Sequence, residues 1–197
     1  MSNPAQSLKL FNQALDMKRK GNLDEALKLY MASIFEYPDD PNVMDTFYAM
    51  GKVFYLNGNP LAAIRCYMVY NYLCVSKTSL ILSDYEAMKD GDCIAGNRLC
   101  GSYENLANHL GWSYYEAMNA PIAEGHQKIY RDLLMGGQKY SSLSGEQQNS
   151  YDEQEKNCKN IGYQLIFSDF QKMIDCPNKM HEEFQQDMDY ISFSVNN

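Results

Sequence analysis

The sequence predicts an all-α protein, built as a right-handed superhelical stack of antiparallel helix pairs and closed by a C-terminal capping helix. Apolar residues recur at helical spacing and are interrupted by Gly, Asn and Pro. The same pattern of small and aromatic residues returns further along the chain. A chain of 197 residues with 45% hydrophobic residues is also long enough to bury a sizeable core.

The first predicted pair spans residues 8–39. Leu10, Ala14 and Met17 share one helical face, and Gly21 breaks the helix. The segment LDEALKLYMASIFEY forms the second helix and stops before a proline, whose ring disfavours helical geometry in the preceding residue. The unit is therefore a helix, a turn and a helix.

The second predicted pair spans residues 41–75 and repeats the first. Phe47, Met50 and Phe54 form the stripe of its first helix, and NGN turns the chain. Three matched positions share one offset of 37 residues, namely Gly21 with Gly58, Ala26 with Ala63, and Tyr30 with Tyr67. A constant offset indicates an internal repeat.

A third predicted pair spans residues 103–136, after an insertion at 76–101. Its first helix carries Leu110, Gly111 and Tyr114, and its second runs through Ile129. The insertion contains an apolar helix candidate, LILSDYEAM, and a loop, KDGDCIAGN. These units and the insertion make residues 1–137 the repeat domain.

Residues 138–197 are predicted to hold a polar linker, a capping helix and a tail. The periodicity predicts a long helix from about Gln147 to Asp175, which covers the open end of the stack. Pro177 ends it. The segment HEEFQQDMDY is expected to add a short helix before a polar, mobile tail.

These motifs resemble the tetratricopeptide repeat family, which joins Leu-Gly-x-x-Tyr in one helix to Ala-x-x-x-Phe in the next, with a closing Pro. The first helices supply Met50-Gly51-x-x-Phe54 and Leu110-Gly111-x-x-Tyr114. The second helices supply Ala26-x-x-x-Tyr30 and Ala63-x-x-x-Tyr67. The resemblance implies a concave groove, lined by the first helix of each pair, that binds proteins.

The groove positions are those one turn away from the packing stripe. Aromatic rings among amide and ammonium groups suit recognition of a peptide, because rings bury area at low entropic cost. The alternative is that Tyr48, Tyr55 and Trp112 pack against the insertion or the C-terminal helix. The predicted partner-binding residues are Phe11, Lys18, Tyr48, Lys52, Tyr55, Asn105, Asn108, Trp112 and Tyr115.

Some members of that family hold a chaperone's C-terminal carboxylate with a Lys and an Asn four residues apart. Phe11 and Leu15 occupy those two positions in this chain. We therefore expect no chaperone-tail clamp of that kind.

Charge and targeting signals narrow the partners. A net charge of -8 repels phosphate backbones, which argues against nucleic acid. The chain shows no secretory signal and no apolar stretch of membrane-spanning length, so a cytoplasmic protein that does not enter membranes is expected. The six cysteines are then expected to be reduced.

Motifs for catalysis, nucleotides or metals are absent from the sequence. It holds no GxSxG, HExxH, CxxC, GxGxxG or GxxxxGK[ST] string. Cys93, Cys100, His109 and His126 have soft ligand atoms, but their spacings match no compact zinc pattern. We expect no cofactor, no metal and no enzymatic activity.

The leading hypothesis is an adaptor that binds a peptide or partner protein in the groove. One alternative is a client-specific assembly chaperone, because the size, acidity and unit count are similar to those of bacterial type III secretion chaperones. Another is a small-molecule sensor or enzyme in which Asp92, Cys93 or His109 acts on a ligand. A homodimer through apolar end faces also stays open.

Overall fold

A computed structural model describes residues 4–40, 42–78, 99–122 and 125–196 of the chain. All regular structure within these ranges is helical, which confirms the all-α prediction. A short 3-10 turn lies at Tyr140–Ser142. The described residues form eight α-helices, which are α1 Pro4–Arg19, α2 Leu23–Glu36, α3 Val43–Leu56, α4 Pro60–Thr78, α5 Leu99–Ala117, α6 His126–Met135, α7 Gly145–Asp175 and α8 Pro177–Asn196.

The turns after α1 and α3 have the same geometry, 37 residues apart. Gly21 and Gly58 have φ of +79° and +77°, a left-handed conformation in which an L side chain is strained. The next residue donates to a carbonyl five positions back in both turns, from Asn22 to Met17 and from Asn59 to Phe54, at 2.9 Å each. The periodicity of the sequence is thus also a periodicity of the backbone.

Small residues let the helices of the first two pairs approach closely. α1 packs on α2, α3 packs on α4, and α2 joins the two pairs by packing on α3. Ala14, Ala26 and Ala63 are fully buried at these contacts. A Cβ atom on Gly51 would lie 2.4 Å from the Tyr67 ring, so only glycine fits there without movement of that ring.

The third unit differs from the arrangement expected for residues 103–136. α5 packs most extensively on α7 rather than on α6, and it also packs on α4. A Cβ on Gly111 would lie 1.8 Å from the Cys158 carbonyl oxygen, and a Cβ on Gly162 would lie 1.8 Å from that of Ala107. These two glycines bring the backbones of α5 and α7 together. α7 thus takes the place beside α5 that the sequence predicted for α6.

The C-terminal helices are longer than expected. Ser144 and Gln147 form a reciprocal capping box, so α7 begins at Gly145. The expected short helix and mobile tail are one 20-residue helix, α8, which packs on α4, α7 and α2 and buries Ile191 completely. Burial of this apolar side chain holds the end of the chain in place.

The predicted insertion at 76–101 lies mostly outside the described residues. α4 continues to Thr78, which takes it into the predicted insertion. The LILSDYEAM helix candidate and the KDGDCIAGN loop lie outside the described ranges.

Candidate functional site

The face formed by α1, α3 and α5 carries most of the predicted partner-binding residues, and we call it the first-helix face. α6 lies on it. Tyr130 of α6 is buried, stacks on the Trp112 ring at 4.6 Å, and meets the Tyr55 ring edge-on at 5.2 Å. Its hydroxyl forms a hydrogen bond with Nδ1 of His109. Tyr130 therefore occupies the aromatic surface that Tyr55 and Trp112 provide.

Polar contacts at helix ends hold α6 in this position. Arg131 donates to the Tyr55 carbonyl oxygen at 2.8 Å and pairs with Glu116 of α5. Lys18 Nζ donates to the Leu134 carbonyl oxygen at 2.8 Å. Carbonyls in the last turn of a helix lack intrahelical partners and attract cations, so both contacts are favourable. They connect α6 to α1, α3 and α5 together.

Part of the predicted site is thus buried inside the protein. We call Tyr55, His109 and Trp112 the covered part of the first-helix face. Tyr55 and Trp112 have no exposed surface because Tyr130 lies on them, and Trp112 also stacks on Tyr151 of α7. The predicted alternative, packing against the C-terminal helix, describes Trp112 through Tyr151, whereas Tyr55 packs against α6 instead.

The other predicted residues on α5 are dispersed. Asn108 is buried and donates to Glu155 of α7 at 2.8 Å, so it faces away from the first-helix face. Asn105 is exposed and Tyr115 is half-buried. The structure does not bring these three side chains to one site.

Four of the nine predicted residues meet in a cavity of about 350 Å³ between α1 and α3. We call this the open cavity, and it is the part of the first-helix face that α6 leaves uncovered. Its lining is formed by Phe11, Leu15, Lys18, Tyr30, Asp45, Tyr48, Ala49 and Lys52.

Aromatic rings form much of the cavity wall, and their packing holds them in place. Phe11 meets Tyr30 edge-on at 5.3 Å. Tyr48 contacts the rings of Tyr70 and His109 at 5.1 and 5.4 Å. Rings fixed in this way lose little conformational entropy when a ligand binds.

Two lysines give the cavity its charge. Lys52 Nζ lies 4.3 Å from the centroid of the Tyr48 ring, within the range of a cation–π contact. Burial, reinforced by the charge of Lys18, lowers the pKa of Lys52 to about 8. Burial and then Arg19 lower the pKa of Lys18. Both ammonium groups are short of compensating negative charge.

No carboxylate of the described residues forms an ion pair with Lys52 or Lys18. Asp45 lines the cavity near the solvent, and partial burial of its carboxyl raises the pKa of that group. The hydroxyl of Tyr30 is buried and has no hydrogen-bond partner within the described part of the chain. The periodicity places Tyr30 on the packing stripe of α2, and the full burial of its side chain agrees with that position.

A second cavity, of about 420 Å³, lies among α4, α7 and α8. Its charged groups pair with one another: Arg65 with Asp187, and Lys172 with Glu183 at 3.2 Å and with Asp169 at 3.5 Å. Burial, opposed by Lys172, raises the pKa of Asp169 to about 6. This network connects the C-terminal helices to the second pair.

Neither a metal-binding cluster nor a membrane-spanning helix is found among the described residues. The described ranges contain no group of three or more His, Cys, Asp or Glu side chains placed to hold a metal ion. No helix within those ranges has the length and apolarity to cross a bilayer.

Fold and site together define a class of protein: a helical protein whose first-helix face is covered at one end by its own helix α6 and open at the other. No protein-family model, curated protein or solved structure matches the chain.

Proposed function

We propose that the protein is a protein-interaction adaptor that binds a segment of a partner at the open cavity of the first-helix face. The scaffold in this proposal is a right-handed superhelix similar to tetratricopeptide repeats. The matching turns at Gly21 and Gly58 and the buried alanines of the first two pairs support it. The proposal includes no catalytic step.

The observation that carries the proposal is the position of α6. This helix lies on α1, α3 and α5 as a ligand would, with one aromatic side chain inserted and one arginine at a helix end. The open cavity continues the same face with the same kinds of residue, aromatic and cationic. A face that binds one helix of the chain has the shape and chemistry to bind another segment.

The partner can be trapped by a photo-crosslinking residue at position 11, on the cavity wall. The matched control carries the same residue at position 140, an exposed tyrosine before α7. A partner that crosslinks only from position 11 is then tested with purified variants. Phe11→Ala and Lys52→Met should each weaken binding at least tenfold, and Lys156→Met on the exposed side of α7 should not.

The outcome separates the adaptor from the alternatives. Unchanged binding by both cavity variants would overturn the adaptor proposal. A partner that stays soluble only while bound, at a fixed ratio, would favour the client-specific chaperone. A small molecule that raises the melting temperature of the wild type but not of Lys52→Met would favour a sensor.

A further inference from the structure

We infer that the open cavity is a carboxylate-binding subsite, and that it takes an acidic side chain of the partner segment with an apolar side chain beside it. Lys52 is the binding group, and Phe11 and Tyr48 provide the apolar walls. The inference rests on the proposed function, and it adds the chemistry of the ligand.

Charge is the first argument. The chain has 25 acidic against 17 basic residues, so carboxylates are plentiful. Six basic residues of the described part do form ion pairs: Arg19, Arg65, Lys128, Arg131, Lys159 and Lys172. The other lysines that form no ion pair and whose side chains the structure describes are exposed, whereas Lys18 and Lys52 are half-buried and have no such partner among the described residues. Only one carboxylate, that of Asp45, lines the cavity with them. The cavity therefore has a net positive charge inside an acidic protein.

The position of Lys52 is the second argument. Lys52 is half-buried on the cavity wall, and its ammonium lies 4.3 Å from the centroid of the Tyr48 ring. A ligand carboxylate in the cavity would pair with this ammonium and offset the cost of its burial.

Depth and size identify the source of the carboxylate. Lys52 is half-buried, so the charged group has to reach below the rims of α1 and α3. A volume of about 350 Å³ accommodates one or two side chains and excludes a peptide backbone with its flanking residues. A glutamate or aspartate side chain reaches this depth, and its methylene groups contact the rings of Phe11 and Tyr48.

Protonation of Lys52 should respond to the ligand. The groups that face its ammonium are Lys18 of α1, Tyr30 of α2, Asp45 and Tyr48 of α3, and His109 of α5, with Tyr67 of α4 behind Tyr48. His109 is neutral, because burial and then the two lysines lower its pKa. A bound carboxylate would raise the pKa of Lys52 above its free value of about 8, so affinity should fall as the pH rises through 8.

Three tripeptide probes test the inference. Acetyl-Leu-Glu-Phe-amide carries only a side-chain carboxylate, acetyl-Leu-Gln-Phe-amide is its neutral counterpart, and acetyl-Leu-Gln-Phe with a free C-terminus carries only a terminal carboxylate. Binding is followed by the amide NMR shifts of α1 and α3 in the full chain. We expect the Glu probe to bind at least fivefold more tightly than either of the others.

Variants and a pKa measurement identify the binding group. Lys52→Met should abolish the difference between the Glu and Gln probes, whereas Lys156→Met should leave it unchanged. The NMR titration of the Lys52 ε-methylene should move to higher pH with the Glu probe and stay in place with the Gln probe. A purely structural lysine would titrate at the same pH with either probe.

Each contrary result has a distinct meaning. Equal binding of the Glu and Gln probes at the cavity would overturn the carboxylate subsite and leave the adaptor proposal intact. Tighter binding of the terminal carboxylate would overturn the assignment to an acidic side chain. If no probe shifts the amides of α1 and α3, the subsite is overturned, and the crosslinking experiment decides the adaptor proposal separately.

Discussion

The covered and open parts of the first-helix face share residue types but differ in occupancy. Tyr55, His109 and Trp112 of the covered part are sealed by Tyr130, so their rings contribute to stability. Tyr48 and Lys52 of the open cavity keep access to solvent, and Lys52 has a lowered pKa. The difference shows that one kind of surface becomes core where α6 lies on it and keeps contact with solvent where α6 does not reach.

The two parts also differ in whether their charged side chains have a partner of opposite charge. In the covered part Arg131 pairs with Glu116 and caps α3. In the open cavity Lys52 has only the ring of Tyr48 as a favourable partner among the described residues. Buried charge without a partner costs stability, and such a cost is typical of sites that bind ligands.

Removal of the covering side chain should have the largest effect. Tyr130→Ala deletes a buried ring between Tyr55 and Trp112 and should lower the free energy of unfolding by about 3–5 kcal/mol. Chemical denaturation measures the loss, with the fluorescence of Trp112, the only tryptophan, as the signal. Because the deletion leaves a ring-shaped cavity, 4-methylphenol should raise the melting temperature of this variant and not of the wild type.

The conservative variant Tyr130→Phe is the control for that experiment. It keeps the ring and loses only the hydrogen bond to His109, so its cost should be about 1 kcal/mol. Equal stabilities of the wild type and Tyr130→Ala would contradict the view that α6 seals the covered part.

The α5–α7 contact supports the covered part from behind. Gly162→Ala would place a Cβ 1.8 Å from the Ala107 carbonyl oxygen, so the two helices must separate. We expect a loss of about 3 kcal/mol in the free energy of unfolding, together with a changed Trp112 emission spectrum. Gly145→Ala at the start of the same helix meets no atom within 4 Å and should be neutral.

A substitution in the open cavity, Lys52→Met, should raise the free energy of unfolding rather than lower it. The pKa of Lys52 is lowered from 10.5 to about 8 in the folded state, so the unfolded chain binds more protons between these values and stability rises with pH there. Lys52→Met removes the cost of the buried charge and should stabilise the protein at pH 7 by on the order of 2 kcal/mol. The same variant should lose ligand binding.

Denaturation between pH 7 and 9.5 checks this prediction. The stability difference between Lys52→Met and the wild type should shrink as the pH rises through 8, while Lys156→Met should follow the wild type throughout. A constant difference would mean that the charge of Lys52 is not the cause.

The smallest effect is expected at Lys18, which lines the open cavity and also donates to α6. Lys18→Met removes the hydrogen bond to the Leu134 carbonyl oxygen and should cost about 1 kcal/mol, measured by denaturation. Part of that loss is offset because the pKa of Lys52 should rise when Lys18 is removed. An NMR pKa for Lys52 that stays the same would contradict the proximity of the two ammonium groups.

Local features made much of the fold predictable. Helical periodicity identifies α1 to α4, and Gly21 and Gly58 identify the turns between them, because φ near +80° favours glycine. Of the nine predicted binding residues, Phe11, Lys18, Tyr48 and Lys52 meet in one cavity. They meet because they lie on the first helices of the two regular pairs, where the repeat positions them.

The sequence by itself determined the helical class, the 37-residue repeat and the aromatic, cationic character of the first-helix face. The tertiary structure alone decided that α7 rather than α6 packs on α5, and that Tyr130 covers Tyr55 and Trp112. Periodicity states which face of a helix is apolar, but not which distant segment will cover it. That choice depends on contacts such as Gly111 against Cys158, which form only when distant parts of the chain meet.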